Sequence, residues 1–260
     1  MKASLTREIR YSDVDAEFRV TLGTLLEVFQ DLAALHSDRI GFGIRKLADE
    51  GIIWVLSKLG ISVFRYPEYG ETLHASSWSR GAEGFKMLRD FEIFAGEERI
   101  AAGSSVWFFL NVREKRVQRV PREIDLAYQQ EPVKAQDPGI VHWAPYQRFA
   151  ASDMLTVQTR ASDRDPSGHV NNTRYGAYVL DALASRYGER YAVSDLRLQF
   201  SREIGPEASE VEVGIARDGN AISFRIGKAR DYHARGEALL APDDARGCAN
   251  ATRPTACLQG

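Results

Sequence analysis

Apolar side chains recur at Leu22, Leu25, Leu26, Phe29, Leu32 and Ala33 with the i, i+3, i+4, i+7 spacing of one helix face. The same spacing returns at Tyr175, Tyr178, Val179, Ala182 and Leu183. Each helix is followed by segments in which apolar and polar residues alternate, the period of a strand with one buried face. These predict strands over Ile52–Phe64, Glu71–Arg80, Gly84–Phe94 and Arg99–Leu110 after the first helix. After the second they predict Asp195–Phe200, Ser209–Ala216, Ala221–Lys228 and Tyr232–Leu240. A short strand precedes each helix, around Leu5–Tyr11 and Met154–Arg160.

The chain therefore repeats one unit of strand, helix and four strands. Tyr11-Ser12-Asp13-Val14-Asp15-Ala16-Glu17-Phe18-Arg19-Val20 overlays Ala161-Ser162-Asp163-Arg164-Asp165-Pro166-Ser167-Gly168-His169-Val170 without a gap, at an offset of 163 − 13 = 150. Ser57, Leu59 and Arg65 echo Ser194, Leu196 and Arg202 at 202 − 65 = 137, so the second copy is shorter between helix and strand. One such sheet leaves part of its helix uncovered, and two copies side by side bury both helices. The predicted class is α+β, with antiparallel sheets joined into one. Residues 1–125 form the first unit, 126–148 a polar, proline-bearing linker, 149–240 the second unit and 241–260 a disordered tail.

Composition narrows the setting. The chain has 260 residues, 44% hydrophobic and 27% charged, with net charge −2. This is a globular composition, and it excludes a strongly basic nucleic-acid binder. No apolar run of about 18 residues predicts membrane insertion, and the start, MKASLTREIRYSD, lacks the apolar core of a signal peptide. The default location is cytoplasmic. Cys248 and Cys257 both fall in the tail, which excludes a disulfide framework. No metal-ligand spacing is present, and no cofactor is expected.

Chemistry concentrates in the second copy. Asp165-Pro166-Ser167-Gly168-His169-Val170-Asn171-Asn172 sets a carboxylate, an imidazole and two amides before a helix predicted to begin near Val170–Asn172. Unpaired N–H groups at a helix start can hold an oxyanion, and histidine can move a proton near neutral pH. The first copy keeps Asp13 and Asp15 but has Arg19 in place of the histidine. Asp163, matched by Asp13, is read as structural. Tyr175 and Tyr178 are read as core aromatics, and His36, His74, His142 and His233 as surface or core residues.

The run D-x-x-G-H-V-N-N-x-x-Y, Asp165 through Tyr175, resembles the hotdog-fold thioesterases. Phe29-Gln30-Asp31 with His36-Ser37, Trp54-Val55-Leu56-Ser57, and Arg65-Tyr66-Pro67 with Gly70-Glu71 resemble the N-terminal domain of the acyl-acyl-carrier-protein thioesterases. The likeness covers roughly residues 5–240. It implies a tandem (double) hotdog, each sheet wrapped around a long central helix, that hydrolyses fatty acyl thioesters and so terminates fatty acid synthesis. It places catalysis on Asp165, His169 and Glu203, with the oxyanion amide on or beside Asn172. Asp165 either assists His169 and Glu203 in activating water or attacks directly. Two positions depart from the plant enzymes. Ser167 stands for an asparagine, and its hydroxyl is expected to make one hydrogen bond where the amide makes two. Ile204 stands for a cysteine, which removes a Cys–His route.

The resemblance also assigns the acyl chain to the first unit, with Leu25, Phe29, Trp54 and Leu56 setting its length, and with Asn171 near the substrate. The carrier protein is acidic, so docking is expected on Arg113, Lys115, Arg116 and Arg119, with Arg122 beside them. Arg225, Lys228, Arg230 and Arg235 form a second basic group. An acyl-CoA thioesterase, and more distantly a dehydratase or lipid-binding module, are the alternatives. A monomer or a homodimer fits a doubled unit.

Overall fold

The strands form because the alternation predicted for them has a face to bury. The computed structural model describes residues 1–136, 139–145, 150–188 and 191–241. Its elements in chain order are β1 (Ala3–Glu8), α1 (Leu22–Arg39), α2 (Ile44–Asp49), β2 (Ile52–Val63), β3 (Thr72–Glu83), β4 (Lys86–Ala95), β5 (Glu98–Asn111), β6 (Arg116–Gln118) and α3 (Arg122–Ala127). After these come β7 (Asp153–Gln158), α4 (Arg174–Tyr187), β8 (Val193–Phe200), β9 (Glu210–Asp218), β10 (Ala221–Lys228) and β11 (Asp231–Leu240). The tail beyond residue 241, with both cysteines, lies outside the described residues, as do positions 137, 138 and 146–149 of the linker region.

All eleven strands belong to one antiparallel sheet of order β1-β3-β4-β5-β2-β8-β11-β10-β9-β7, with β6 on β5. The expected continuity is therefore present. It runs through β2 and β8, paired from Lys58↔Gln199 to Ser62↔Asp195. Ser62 Oγ adds a hydrogen bond to Asp195 Oδ1 at 2.6 Å. A bulge at Ser57 keeps Leu56 on the same face as Leu59, because their partners on β5 are Trp107 and Ser105. That inner face carries Leu59, Ile61 and Val63 into one core with Leu25, Phe29 and Leu32 of α1 and Tyr178, Val179 and Leu183 of α4. The helices meet near their first turns, where Gly176 lies against Leu22 and Leu26, and Arg174 pairs with Glu27 at 3.5 Å.

The duplication is written into the backbone. In the first copy Asp15 N donates to Arg19 O, Phe18 N to Asp15 O, Thr21 N to Asp13 O and Val20 N to Pro67 O. In the second, Asp165 N donates to His169 O, Gly168 N to Asp165 O, Asn171 N to Asp163 O and Val170 N to Ile204 O. Both offsets read from the sequence, 150 and 137, recur in these bonds. Gly168 takes φ 85°, and Phe18 holds the same place at φ 60°, a conformation that costs a non-glycine residue about 1 kcal/mol.

Three short elements, α2, β6 and α3, had no periodic signal to predict them. The segment read as a linker also covers the outer face of the sheet. Val133 O accepts from Trp78 Nε1 at 2.8 Å, Ala135 N donates to Asp90 Oδ2 at 2.8 Å, and Ile140 N donates to Ser104 Oγ at 3.1 Å. Ile140 and Val141 bury Leu88 and Val106.

Candidate active site

The turn at 165–168 is built by its own side chains. Asp165 Oδ1 accepts from Ser167 N at 2.9 Å and from Ser167 Oγ at 2.5 Å. Ser167 Oγ lies 3.0 Å from His169 Nδ1, and Glu203 Oε2 lies 3.2 Å from the same nitrogen. The structure thus brings Asp165, Ser167, His169 and Glu203 into one chain of contacts.

Donor accounting fixes the protons in that chain. Ionised carboxylates only accept, so the Ser167 hydroxyl proton goes to Asp165 and the His169 proton sits on Nδ1. In the neutral imidazole Nε2 then carries the lone pair, on a side chain about one-third exposed. The expectation that Ser167 supplies a single bond is corrected here. Its oxygen accepts from His169 while its hydrogen is donated to Asp165, so the hydroxyl bridges the two as an amide would.

The surroundings hold these groups in register. Arg164 donates to Gly168 O at 3.2 Å, Gly205 O at 2.9 Å, Pro206 O at 2.9 Å and Ala208 O at 3.1 Å. One guanidinium thereby ties the histidine turn to the segment that follows Glu203. His233 on β11 donates through Nδ1 to Glu203 O at 2.9 Å, since a carbonyl only accepts; burial pushes the pKa of this imidazole down. Ile204 N donates to the buried Tyr175 hydroxyl at 3.3 Å. Asp163 accepts from Arg160 N at 2.8 Å and from Tyr178 Oη at 2.8 Å, a structural role. Arg164 and His233 were not legible as positioning residues, because what they grip is main-chain carbonyl.

The helix start is later than expected. Helix α4 begins at Arg174, because Asn171 Oδ1 accepts from Thr173 N and Thr173 Oγ1, each at 3.0 Å, and forms a turn first. Asn171 is therefore engaged through Oδ1 within the turn. Val170, Asn171 and Arg174 N–H groups donate to main-chain carbonyls. The N–H of Asn172 finds no protein acceptor among the described residues.

The first copy lacks this chemistry. Arg19 stands at the place of His169, and Tyr66, at the place of Glu203, donates its hydroxyl to Val193 O at 2.9 Å. Leu25, Phe29 and Leu56 are buried core, with Phe29 stacked on Phe91 at 4.3 Å. Trp54 lies in a separate apolar cluster with Ile52, Met87 and Phe109, so the four chain-length candidates do not line one continuous patch. Arg113, Lys115, Arg116 and Arg119 are exposed around the β5–β6 hairpin, as is Arg122; Arg116 pairs with Glu114 at 3.3 Å. The second basic group is corrected. Arg225 is buried and donates to Gly227 O at 3.0 Å, and Arg235 lies over the Tyr232 ring. Among the described residues no cluster of three or more His, Cys, Asp or Glu is arranged to hold a metal ion. No described helix is long and apolar enough to cross a membrane.

Comparison with known proteins agrees with this architecture. Residues 3–128 match the family model of the acyl-ACP thioesterase N-terminal domain, and residues 146–231 match that of the C-terminal domain. The chain is 24% identical over 279 residues to a palmitoyl-acyl carrier protein thioesterase, chloroplastic, of Gossypium hirsutum, covering 95% of this chain and 66% of that protein. It is 28% identical over 215 residues to the acyl-[acyl-carrier-protein] hydrolase FATB3, chloroplastic, of Cuphea viscosissima, covering 75% of this chain and 50% of that one. It thus spans between half and two thirds of these relatives. In fold it is similar to the 12:0-ACP thioesterase from Umbellularia californica, with TM-score 0.80 and 20% identity over 93% of this chain and 97% of the other. An acyl-ACP thioesterase from Bacteroides thetaiotaomicron gives TM-score 0.79 and 20% identity over 92% and 98%. The chain belongs to the acyl-ACP thioesterase family.

Proposed function

We propose that this chain is a tandem hotdog that hydrolyses fatty acyl thioesters of acyl carrier protein and releases free fatty acid. The observation that carries the reading is the Asp165–Ser167–His169–Glu203 chain, which engages Nδ1 of a partly exposed His169 and holds the proton of its neutral form there. In the proposed step Nε2 takes a proton from water as the water oxygen attacks the thioester carbonyl carbon. The resulting oxyanion is met by the Asn172 N–H. Collapse expels the carrier thiolate, which takes the proton from His169. Glu203 and, through Ser167, Asp165 stabilise the imidazolium while it exists. Asp165 Oδ1 already accepts two hydrogen bonds, which supports assistance rather than direct attack.

In this reading the acyl tail lies against the inner face of the first unit, near Leu25, Phe29 and Leu56. The acidic carrier protein docks on the basic hairpin of Arg113, Lys115, Arg116 and Arg119. The test is steady-state hydrolysis of matched acyl chains on acyl carrier protein and on coenzyme A. Carrier-protein substrates are expected to give the higher kcat/KM, with a dependence on salt. Equal or better turnover of the coenzyme A thioesters selects the acyl-CoA alternative, and absence of fatty acid release from both rejects hydrolysis.

A further inference from the structure

A band of buried polar side chains crosses the inner face of the first half of the sheet. Ser79, Arg89 and Ser105 are register partners on β3, β4 and β5, and Ser77 shares their face one pleat along. All four are 3% exposed or less. Arg89 Nη1 donates to Ser77 Oγ at 3.0 Å and to His36 Nδ1, on α1, at 3.2 Å. The Arg89 guanidinium lies over the Tyr128 ring at 5.2 Å, and Tyr128 Oη meets Ser37 Oγ at 2.7 Å. On one side of the band lies the Phe29–Phe91 stack; on the other lies the apolar cluster of Ile52, Met87, Phe109 and Ile124.

The band has donors in excess. Arginine is an obligate donor, so His36 Nδ1 must be the acceptor and the His36 proton sits on Nε2. That N–H is fully buried and has no acceptor among the described residues. The charges that act on His36 are all positive: Arg89, the amino terminus and Arg39. No carboxylate among the described residues forms an ion pair with Arg89. Arg89 meets Ser77, His36 and the Tyr128 hydroxyl but no anion, and the buried His36 Nε2–H meets no acceptor among the described residues, which costs free energy. A purely alkyl tail has no atom that could accept from them.

We infer that the Ser77–Arg89–His36 band is a subsite for an oxygen acceptor, a carbonyl or carboxylate oxygen borne on the distal part of the acyl chain. The inference rests on the proposed function in placing the tail in the first unit. It names the substrate class as oxygenated acyl chains, which the band would hold through Arg89 and His36 Nε2–H.

The test reads binding rather than turnover. Dissociation constants are measured by calorimetry on the full chain for long-chain fatty acids that carry one ketone at successive positions, and for unsubstituted acids of equal length. Inorganic phosphate is titrated as the solution anion. One ketone position is expected to bind about tenfold tighter than the alkyl control, the scale of a charge-assisted hydrogen bond. The preference is expected to vanish in Arg89→Met, to fall in Ser77→Ala and His36→Leu, and to return in His36→Gln, whose amide can accept from Arg89 and donate onward. Ser77→Ala keeps the test valid if Arg89→Met does not fold. Equal affinities for all acids in the unaltered protein overturn the proposal, as does a preference that survives Arg89→Met or, where that variant does not fold, Ser77→Ala. Phosphate binding that depends on Arg89, without any preference among the acids, also overturns it by making the acceptor a solution anion. A ketone preference without hydrolysis removes the proposed function and keeps the subsite; hydrolysis without a preference does the reverse.

Discussion

Replacing Glu203 by glutamine removes one charge and little else. Its carbonyl remains held by His233 at 2.9 Å, and neighbouring Ile204 stays anchored to Tyr175, so the segment keeps its place. What changes is the field at His169 when Nε2 accepts a proton. At the observed 3.2 Å, Coulomb's law gives ~1.3 kcal/mol at the permittivity of water and ~5 kcal/mol at an effective permittivity of about 20. The Glu203 side chain is 56% exposed, so the lower figure governs, and a loss of ~1–2 kcal/mol means about tenfold in kcat/KM. The assay is initial-rate hydrolysis of an acyl carrier protein thioester, with fatty acid quantified by chromatography, at low ionic strength and again at about 1 M salt, where the Debye length is only ~3 Å. The defect is expected to shrink at high salt, because the missing interaction is screened there in the unaltered protein too. Wild-type turnover at low salt refutes the role of Glu203. A loss as deep as that of His169→Ala refutes its placement as a supporting charge and makes it the proton acceptor itself.

Ser167→Ala cuts the link between Asp165 and His169 and is expected to lower kcat about tenfold. Ser167→Asn, which restores both a donor and an acceptor, should retain most of the activity in the same assay. Arg164→Lys leaves a charge but cannot grip carbonyls on both segments at once. We expect kcat to fall by about 10–100-fold, with a local rise in hydrogen exchange over residues 203–208. His36 is held neutral by burial and by Arg89, and its pKa falls to about 4 from an ordinary 6.5. The unfolded chain therefore binds this proton first as pH drops. Stability is complete above about pH 6.5 and declines toward pH 4, by ~3 kcal/mol from this group. Denaturant midpoints from pH 7 to 4 should show that decline, and a variant His36→Gln should flatten it.

The sequence carried the fold wherever burial is periodic. Strands β2 through β5 and β8 through β11 have one wet or strap-covered face and one core face, and their alternation located them to within a few residues. The doubling was legible in ten residues, because the turn around Asp13 and its counterpart around Asp163 need the same acid to cap the same backbone. The helix start was misplaced because Asn171 first closes a turn with Thr173, a choice made by hydrogen bonding rather than by periodicity. The region 126–148 looked like a polar tether since its apolar residues, among them Tyr128, Ala135, Ile140 and Val141, are scattered. Ala135, Ile140 and Val141 are buried only because the outer face of the sheet is there to receive them, and Tyr128 because Ile52, Met87, Phe109 and Ile124 are.

Of the candidate site, Asp165 and His169 stand in a pattern of residues before a helix and Glu203 follows only from the family resemblance, whereas Arg164 and His233 act on carbonyl oxygens whose positions exist only in the fold. Arg225 illustrates the opposite error. Its charge suggested a docking face, and the packing of β9, β10 and Met154 buries it.

The central claim is that one copy of the doubled unit performs the chemistry and the other does not. The most direct measurement compares kcat/KM for acyl carrier protein thioester hydrolysis in His169→Ala with that in Arg19→Ala, its counterpart in the first copy. The account predicts a loss of ~10²–10⁴-fold for His169→Ala and near-unaltered turnover for Arg19→Ala. Equal losses in the two variants, or full activity without His169, would contradict it.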